Sequence, residues 1–565
     1  MWGKCKILLF FFFFSLSAFS SNDEQLLSAY QLLDARGELY FLCTANSEQL
    51  LILSKILSID KTEGHVVTAN ANRQEFEKFL SLNIPFTVIE PEIPQLKKRD
   101  ILKKTDSSYT SFYYPSYPEY EQLMKNFAAK YPQICSLHEI GLTVKGRKLM
   151  YMKISDNVNQ QEPEPRFLYS ATIHGDETAG FILMLKLIDY LLSNYDIDHI
   201  IKKLVDEVEI WINPLANPDG LYYGGDTTVA FAIRRNANFV DLNRNFPDSE
   251  AGDHPDGASW QPETKAVMDF LTEHSFVLSA NFHSGVEVVN YPWDYQRQRH
   301  VDDKFFRHIA RRYVDTTHNH APVGYMTYLD NGITNGYDWY QVYGGRQDYT
   351  TYFHRGKEMT IELSKTKLLN EDTLQAFWNY NYRSLINLIK ESTYGIAGVV
   401  TDSATNDPLQ AQIEVLTHDS AYSLTTTDAL TGYYHRLIEP GTYDLLFTAN
   451  GYKKQLLNGI TVYEDTKTRI NVKLSRNTAV LDMPFEIVIT NPVHEQMNIL
   501  IYGAAGLSAH IQIFDVNGKT MANISGLIAV SEQRWQINTV LWPPSVYFCR
   551  ITIGHTVYER KVVKL

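Results

Sequence analysis

Between residues 113 and 393, the chain alternates between short apolar segments and longer segments with helical periodicity. This alternation is typical of a largely parallel β-sheet flanked by helices, in which ligands bind beyond the carboxyl ends of the strands. The predicted strands include 167–173, 208–212, 276–282 and 359–363, and the predicted helices include 178–195 and 263–273. The expected fold class is therefore α/β, with a mixed, mostly parallel sheet.

The 565 residues are enough for several domains. After Gly395, short alternating strands are separated by turn signals such as Asn406-Asp407-Pro408 and Pro440-Gly441, which favours β-sandwich domains. The predicted organisation is a signal peptide (1–20), a small α/β domain (21–95), a linker (96–112), the α/β domain (113–393) and two β-sandwich domains (394–475 and 476–565).

The first twenty residues indicate export. Lys4 and Lys6 precede an apolar run at 7–14, and small residues follow at 15–20. This run is shorter than the ~20 apolar residues that a membrane span needs, so a secretory signal peptide is favoured over an anchor. Because no later apolar stretch is longer, no transmembrane helix is expected in the mature chain.

Charge and cysteine spacing argue against a nucleic-acid-binding protein and against a cysteine-based scaffold. The net charge is −13 and there is no long basic run, so a nucleic-acid-binding function is not expected. Of the four cysteines, Cys5 leaves with the signal peptide, and Cys43, Cys135 and Cys549 are widely spaced. One pair could form a disulfide, but a disulfide framework or a cysteine zinc site is not predicted.

Residues 21–95 predict a small unit with strands at 37–42, 65–68 and 85–89. Its predicted helices begin at Ser47 and Asn72. The linker that follows carries basic residues at 97–99 and 103–104, which indicates either a solvated segment or a target for proteases. The unit is interpreted as an interaction domain or as a pro-segment that shields the domain after it.

Metal-capable residues follow two of the predicted strands. His174 and Glu177 come after strand 167–173, and His283 ends the segment Asn281-Phe282-His283. His174 and Glu177 alone would also suit a polar surface turn. Together with His283 they form the two-histidine, one-glutamate set that binds catalytic zinc and leaves a fourth position open.

Seven blocks in order give this region a specific resemblance. They are His174-Gly175-Asp176-Glu177, Asn217-Pro218-Asp219-Gly220, the run from Val240 to Pro247, Gln261-Pro262-Glu263-Thr264, Asn281-Phe282-His283, the run from Gly332 to Gly336, and the run from Thr360 to Ser364. With these blocks, residues 115–393 resemble the zinc carboxypeptidases of the funnelin type, in particular the carboxypeptidase N/E/D subfamily.

The resemblance implies roles for the residues nearest the metal. His174, Glu177 and His283 would bind one Zn²⁺ per chain. Asp241 would hold the second ring nitrogen of His174, and Glu362 would be the general base that acts on a zinc-activated water. Arg234 would stabilise the oxyanion, and it is preferred over its neighbour Arg235 for its spacing to Asp241.

The resemblance also implies how a substrate would be held. Asn243 and Arg244 would bind the terminal carboxylate of the peptide, and Tyr340 would close over it. Asp294 and Gln347 would bind a basic side chain, which predicts a preference for C-terminal Lys or Arg. Arg346 departs from the subfamily pattern, because its cation could enter that pocket and repel a basic substrate or pair with Asp294.

The two β-sandwich domains also resemble known modules. Residues 395–474, with Gly398-Val399-Val400 and Thr431-Gly432-Tyr433-Tyr434, resemble the transthyretin-like regulatory domain of the same subfamily. The last ninety residues, with Asn491-Pro492-Val493 and the ending Lys561-Val562-Val563-Lys564-Leu565, resemble the C-terminal sorting domain of type IX secretion substrates. This implies the secretion machinery as a partner. The expected location is the cell surface or exterior of a Gram-negative bacterium, reached through the periplasm.

The expected function is therefore an exported zinc metallocarboxypeptidase acting on peptides or proteins with free C-termini. Two alternatives remain. One is a related zinc peptidase acting on cell-wall peptides, and the other is a surface binding protein without catalysis.

Overall fold

The computed structural model describes residues 22–91, 112–477, 486–504, 506–528, 532–553 and 556–565. The predicted signal peptide and the basic linker positions 97–104 lie outside the described residues. The chain divides into two compact units, one ending at Ser475 and the other running from Arg476 to Leu565. The first unit contains the N-terminal, α/β and first β-sandwich domains.

The N-terminal domain is an antiparallel sheet covered by helices on one face. Its elements are α1 (Asn22–Arg36), β1 (Glu38–Thr44), α2 (Ser47–Leu53), β2 (Ser58–Glu63), β3 (Val66–Asn72), α3 (Arg73–Leu80) and β4 (Phe86–Ile89). The strand order is β2-β3-β1-β4. Leu39 and Phe41 of β1 pack against Phe76 and Phe79 of α3 in its core.

Helix starts in this domain follow from local capping. Asn46 accepts a hydrogen bond from the backbone of Gln49, whose side chain bonds back to Asn46, so α2 begins with a capping box. The cap is thus Asn46 rather than the predicted Ser47. Asn72 and Glu75 form the same box at the start of α3.

The α/β domain contains the largest sheet of the described chain. Its helices are α4 (Tyr117–Lys130), α5 (Ala179–Asn194), α6 (His199–Glu207), α7 (Pro218–Leu221), α8 (Pro262–Glu273), α9 (Asp303–His318), α10 (Tyr328–Asn331), α11 (Gly336–Trp339), α12 (Arg346–Phe353) and α13 (Leu374–Glu391), with 3₁₀ turns at Leu242–Arg244 and Glu371–Thr373. Its strands are β5 (Cys135–Leu142), β6 (Lys148–Ile154), β7 (Arg166–Ala171), β8 (Glu209–Asn213), β9 (Leu278–His283), β10 (Glu287–Tyr291), β11 (Ile333–Asn335) and β12 (Lys357–Leu363).

The eight strands form one mixed sheet in the order β11-β10-β12-β9-β7-β8-β6-β5. The central strands β12, β9, β7 and β8 are parallel to one another. Helices α5, α9 and α13 cover one face, and α8 and α12 cover the other. The predicted fold class is confirmed, and the four predicted strands correspond to β7, β8, β9 and β12.

The first β-sandwich domain consists of two packed sheets. Its strands are β13 (Gly395–Asp402), β14 (Ala411–Val415), β15 (Thr425–Thr426), β16 (Tyr433–Arg436), β17 (Gly441–Ala449), β18 (Gln455–Val462), β19 (Lys467–Arg469) and β20 (Val472–Leu474). One sheet contains β16-β13-β19 with β20 beside β13, and the other is β15-β14-β17-β18. Alternate side chains such as Ile413, Val415 and Leu445 fill the space between them.

A buried ion cluster joins this sandwich to the α/β domain. Asp302 accepts hydrogen bonds from both terminal nitrogens of Arg436, at 2.8 and 2.9 Å, and from Lys357 Nζ at 2.7 Å. His418 Nε2 lies 2.8 Å from the same carboxylate. Although burial opposes ionisation, Arg436 and Lys357 hold the pKa of Asp302 well below its usual value. The two domains therefore share a buried charged contact to which both contribute residues.

The second unit is another sandwich. Its strands are β21 (Glu486–Ile489), β22 (Gln496–Tyr502), β23 (Ser508–Phe514), β24 (Thr520–Leu527), β25 (Glu532–Asn538), β26 (Ser545–Ile553) and β27 (Thr556–Lys564). They form the sheets β21-β22-β25 and β24-β23-β26-β27. Ile499, Ile501, Ile511 and Ile551 contribute to the buried layer between the sheets.

Two further observations concern the described residues. None of their helices combines the length and the apolar character needed to cross a membrane. Cys43, Cys135 and Cys549 are all buried as free thiols, so the disulfide that the sequence left open does not form among them.

Candidate metal centre and active site

The possible metal ligands come from the ends of two neighbouring strands. His174 and Glu177 lie in the turn between β7 and α5, and His283 is the last residue of β9. Gly180 of α5 packs against Phe282 so closely that a Cβ there would lie 2.7 Å from the phenylalanine Cβ. This close approach of helix and strand holds the turn beside His283.

The three side chains converge on one point. Nδ1 of His174 lies 3.0 Å from Glu177 Oε1, and Nδ1 of His283 lies 2.8 Å from Glu177 Oε2. The two Nδ1 atoms are 3.1 Å apart. In a tetrahedral site with zinc–ligand bonds of about 2.0–2.2 Å, donor atoms lie about 3.3 Å from one another. The set therefore fits a zinc ion.

The electrostatics of these residues suit a metal cation. Burial lowers the pKa of His283 to about 4, so this ring is neutral at pH 7. Although burial opposes ionisation of Glu177, His174 and Lys367 hold its pKa well below the usual value. One neutral ring and one carboxylate are the states in which these side chains bind a metal.

Asp241 orients the first histidine. Its Oδ1 lies 3.1 Å from Nε2 of His174, which leaves Nδ1 to face Glu177 and His283. Its Oδ2 accepts from Arg234 Nε at 2.9 Å. A carboxylate on the outer ring nitrogen fixes the tautomer and the ring orientation of a metal-binding histidine.

Glu362 lies beside the metal group on the adjacent strand. It is in register with His283 in the parallel pair β12–β9. Burial and the nearby Glu177 carboxylate raise its pKa well above the usual value. Its Oε2 atom is buried and has no hydrogen-bond partner within the described residues, so it is free to accept a proton.

The side chains of Arg234 and Arg235 point in different directions. The Arg234 side chain points toward the metal group, with Nη1 3.4 Å from Glu177 Oε1. The Arg235 side chain points the other way, to Glu75 and Asn70 of the N-terminal domain. Of the two candidates, Arg234 is the one that borders the cavity.

Residues of several sequence blocks fix loops in place and carry no reactive group. The Asn217 amide donates to the carbonyl oxygens of Ile173 and Arg234, at 3.2 Å each. Gly175 lies against the backbone of Gly220, where a Cβ would come within 2.2 Å of a carbonyl carbon. These contacts fix the turn that carries His174 against the loop that carries Arg234.

A polar pocket at the end of β10 forms part of the same cavity, which Asn290 and Asp294 border. Asp294 Oδ1 accepts from Asn290 Nδ2 and from Gln347 Nε2, at 2.9 Å each. Burial raises the pKa of Asp294 to about 6, although these two donors favour the ionised form. Asn290 Oδ1 and Gln347 Oε1 are buried acceptors without a partner within the described residues. The pocket thus offers acceptors, which a ligand with several N–H donors could satisfy.

Arg346 is directed away from this pocket. Its backbone N–H donates to Asn243 Oδ1 at 2.9 Å, and its guanidinium lies 3.3 Å from Glu358 in a buried ion pair. Arg346 does not border the cavity at the metal group. Neither of the two effects considered from the sequence, repulsion of a basic substrate or pairing with Asp294, occurs in this arrangement.

The sequence-predicted residues thus gather around one cavity. It is bordered by His174, Glu177, Arg234, Asn243, Arg244, His283, Asp294, Tyr340 and Glu362, while Asp241 and Gln347 lie directly behind it. The residues that sequence analysis did not assign to the site include Asn290 and Asp60, which border the cavity, and Lys367, which contacts Glu177. Of these three, Asn290 carried a usable signal, because it lies on β10 four residues before Asp294.

Comparison with known proteins agrees with this fold. Residues 120–384 match the family model described as zinc carboxypeptidase, 395–475 the carboxypeptidase regulatory-like domain, and 488–565 the secretion system C-terminal sorting domain. Mouse carboxypeptidase M is 35% identical over 399 residues, covering 66% of this chain and 86% of that protein. The chain therefore belongs to the zinc carboxypeptidase family.

Other relatives are similar over part of their length. Mouse carboxypeptidase D is 36% identical over 420 residues, which is 71% of this chain and 29% of that protein. This chain thus spans less than a third of carboxypeptidase D. The crystal structure of carboxypeptidase A from Helicoverpa armigera superposes with a TM-score of 0.51 at 19% identity, covering 63% of this chain and 97% of that one. This last likeness supports the fold.

Proposed function

We propose that the protein is an exported zinc-dependent carboxypeptidase that removes a C-terminal Lys or Arg from peptides or proteins. The observation that carries the proposal is the convergence on one cavity of a zinc-type ligand set, a buried glutamate and an acceptor-lined acidic pocket. The family supplies zinc as the expected metal.

In this proposal His174, Glu177 and His283 hold the zinc ion. When bound, zinc polarises a carbonyl group and lowers the pKa of water at its open position. Glu362 would take a proton from this water at its free Oε2 and would return it to the leaving amine. Arg234 holds the negative charge that develops on the carbonyl oxygen, because a buried guanidinium stabilises an oxyanion strongly.

Substrate recognition would use the opposite side of the cavity. Arg244 and Asn243 bind the terminal carboxylate, since a planar guanidinium matches its geometry. Asp294 binds the cationic side chain, and the free acceptors of Asn290 and Gln347 bind its remaining N–H groups. A phenylalanine or glutamate side chain would leave these acceptors unsatisfied, which costs binding free energy.

The sorting-domain match supports export to the cell surface or the exterior. We propose that the secretion machinery of a Gram-negative bacterium receives the chain in the periplasm through residues 476–565. Deletion of this segment should retain the protein in the periplasm. Equal amounts of the deleted and full chains outside the cell would contradict this route.

The activity is tested with zinc analysis and a panel of peptides ending in Arg, Lys, Phe or Glu. The unchanged chain should bind one zinc ion and release Arg and Lys fastest. Glu362→Gln should keep the zinc and lose about 10²–10⁴-fold in kcat, and Glu273→Gln, an exposed acid on α8, should behave like the unchanged chain. Bound zinc with fastest release of Phe or Glu would reject the basic specificity. Release from cell-wall peptides alone would reject the substrate class.

A further inference from the structure

The loop that carries Asp294 has no regular secondary structure of its own. It runs from Pro292 to Asp302, between the end of β10 and the start of α9. A loop of this kind keeps one conformation only where its surroundings bind its backbone groups and cover its side chains. The contacts that fix this loop therefore also fix the carboxylate assigned above to the basic side chain of a substrate.

Helix α12 holds the backbone of the loop. Asp348 Oδ2 accepts the backbone N–H groups of Asp294 and Tyr295, at 2.8 and 3.1 Å. Asp348 is itself buried, as are both residues whose backbone it binds. Gln347, the preceding residue on the helix, donates to the Asp294 side chain. The backbone and the side chain of Asp294 thus both depend on the position of α12.

The Tyr422 ring, from the first β-sandwich domain, packs against the same loop and the same helix. Its centroid lies 5.2 Å from the Trp293 ring in an edge-to-face contact and 5.2 Å from the His300 ring. It also stacks on Tyr352 of α12, with ring centroids 5.9 Å apart. Trp293 directly precedes Asp294 and is fully buried. One side chain of the sandwich domain therefore contacts both elements that place Asp294.

The far end of the loop is bound to the same sandwich domain. Asp302 forms the buried ion pair with Arg436 described above. Its backbone N–H donates to His300 Nδ1 at 2.9 Å, so the residue that binds Arg436 also orients a ring that contacts Tyr422. Neither Tyr422 nor Arg436 borders the cavity at the metal group. Any effect of these two side chains on a substrate must therefore act through the loop.

Loss of the Tyr422 ring would disturb this arrangement. Because protein interiors are close-packed, the Trp293 and Tyr352 rings would shift or become mobile once their partner is gone. Such movement changes the place of Asp294 relative to α12. A carboxylate that must be ordered during binding holds a cation less tightly than one already in position.

We propose that Tyr422 is a positioning residue, through which the first β-sandwich domain holds Asp294 in place for a C-terminal Lys or Arg side chain. This gives the sandwich domain a part in substrate selection. The positioning of the loop rests on the contacts above, whereas its effect on specificity rests on the proposed function.

The first test measures hydrolysis of N-benzoylglycyl-L-arginine and N-benzoylglycyl-L-phenylalanine by the full chain. In Tyr422→Ala, the ratio of kcat/KM for Arg over Phe should fall about tenfold, because Asp294 is no longer preorganised. The loss should lie in KM for the arginine peptide, with kcat changed by less than about twofold. Tyr422→Phe keeps the ring and should restore the ratio.

The control is Ile413→Ala, in the core of the same sandwich. This variant lowers stability by leaving a cavity, but Ile413 packs within the sandwich core and not against the loop. The Arg-to-Phe ratio of the folded variant should stay unchanged. An equal fall in Tyr422→Ala and Ile413→Ala would show that lost stability explains the effect, and the positioning role would be wrong.

The second test reads the loop without a substrate, by hydrogen–deuterium exchange. In Tyr422→Ala, the backbone amides of residues 293–300 should exchange about tenfold faster than in the unchanged chain. In Ile413→Ala, faster exchange should be confined to the sandwich. This measurement reports on the loop whether or not the peptide panel shows a preference.

The two tests separate this inference from the proposed function. If the unchanged chain prefers Arg and Tyr422→Ala keeps both the ratio and the exchange rates, the positioning role is wrong and the proposed function stands. If the unchanged chain does not prefer Arg, the proposed specificity is wrong. Faster exchange of the loop in Tyr422→Ala alone then supports the positioning role, and equal exchange overturns it.

Discussion

The Oδ1 atom of Asp241 lies 3.1 Å from Nε2 of His174, on the side of the ring opposite the metal group. This contact presents Nδ1 to the metal position. Asp241→Asn should therefore reduce zinc affinity by about 10- to 100-fold, because the amide no longer fixes the ring tautomer. Competition with a chelator measures the change. Asp226→Asn, at an acid with a half-exposed side chain, is the control, and equal affinity in the two variants would contradict the role of Asp241.

Asp294 should determine the preference for basic C-termini. Asp294→Asn removes the charge but keeps the contacts to Asn290 and Gln347. We expect kcat/KM for peptides ending in Arg to fall about 10- to 100-fold, equivalent to ~1.5–3 kcal/mol of charge-assisted hydrogen bonding. Peptides ending in Phe should be affected little. The measurement uses the full chain, and an unchanged Arg-to-Phe ratio would exclude Asp294 as the specificity residue.

The same preference should depend on pH. Burial raises the pKa of Asp294 to about 6, so the carboxylate that attracts a cation is present above pH 6 and is lost as the pH falls below it. Because kcat/KM reports ionisation of the free enzyme, the ratio of kcat/KM for Arg over Phe should fall by half near pH 6. Using a ratio cancels titration of groups common to both reactions. Asp294→Asn should give a flat ratio, and a flat ratio in the parent chain would disprove the prediction.

Arg346 should affect stability rather than specificity. Its guanidinium pairs with the fully buried carboxylate of Glu358, and replacement by Met would leave that charge uncompensated. Arg346→Met should lower the free energy of unfolding by about 3–5 kcal/mol. The ratio of Arg to Phe hydrolysis by the folded variant should stay the same. Denaturant unfolding and the peptide panel measure the two quantities, and a changed ratio would place Arg346 in the pocket.

The cluster at Asp302 should bind the regulatory-like domain to the catalytic domain. Arg436→Leu removes the guanidinium from Asp302 and from Asp419, both of which are buried. We expect a loss of about 3–5 kcal/mol in the free energy of unfolding. Arg469→Leu, at an exposed position of the same sandwich, should change it by less than about 0.5 kcal/mol. An equal loss of unfolding free energy in both variants would show that the Asp302 cluster stabilises the protein no more than an exposed charge does.

The residues around the metal could be predicted because their sequence positions follow strand ends. His174 follows β7 and His283 ends β9, and parallel strands bring such ends together at one edge of a sheet. The direction of each side chain could not be predicted in the same way. Arg234 and Arg235 are adjacent. The spacing implied by the resemblance favoured Arg234, and the contacts with Asp241 and Glu75 give the directions of the two side chains.

The N-terminal domain shows where sequence patterns fail. Strand β2 has the sequence Ser58-Ile-Asp-Lys-Thr-Glu63, in which a single apolar residue gives no clear alternation. Two of its polar residues, Ser58 and Asp60, have partners on another domain, and these partners are far away in the sequence. The strand that reaches the active site was therefore missed, as was helix α1, whose polar and apolar residues are not segregated onto separate faces.

The three buried thiols also have a consequence for where the chain can fold. Because Cys43, Cys135 and Cys549 form no disulfide with one another, folding of the described residues does not require an oxidant. The same fold can therefore form in a reducing compartment as well as in an oxidising one.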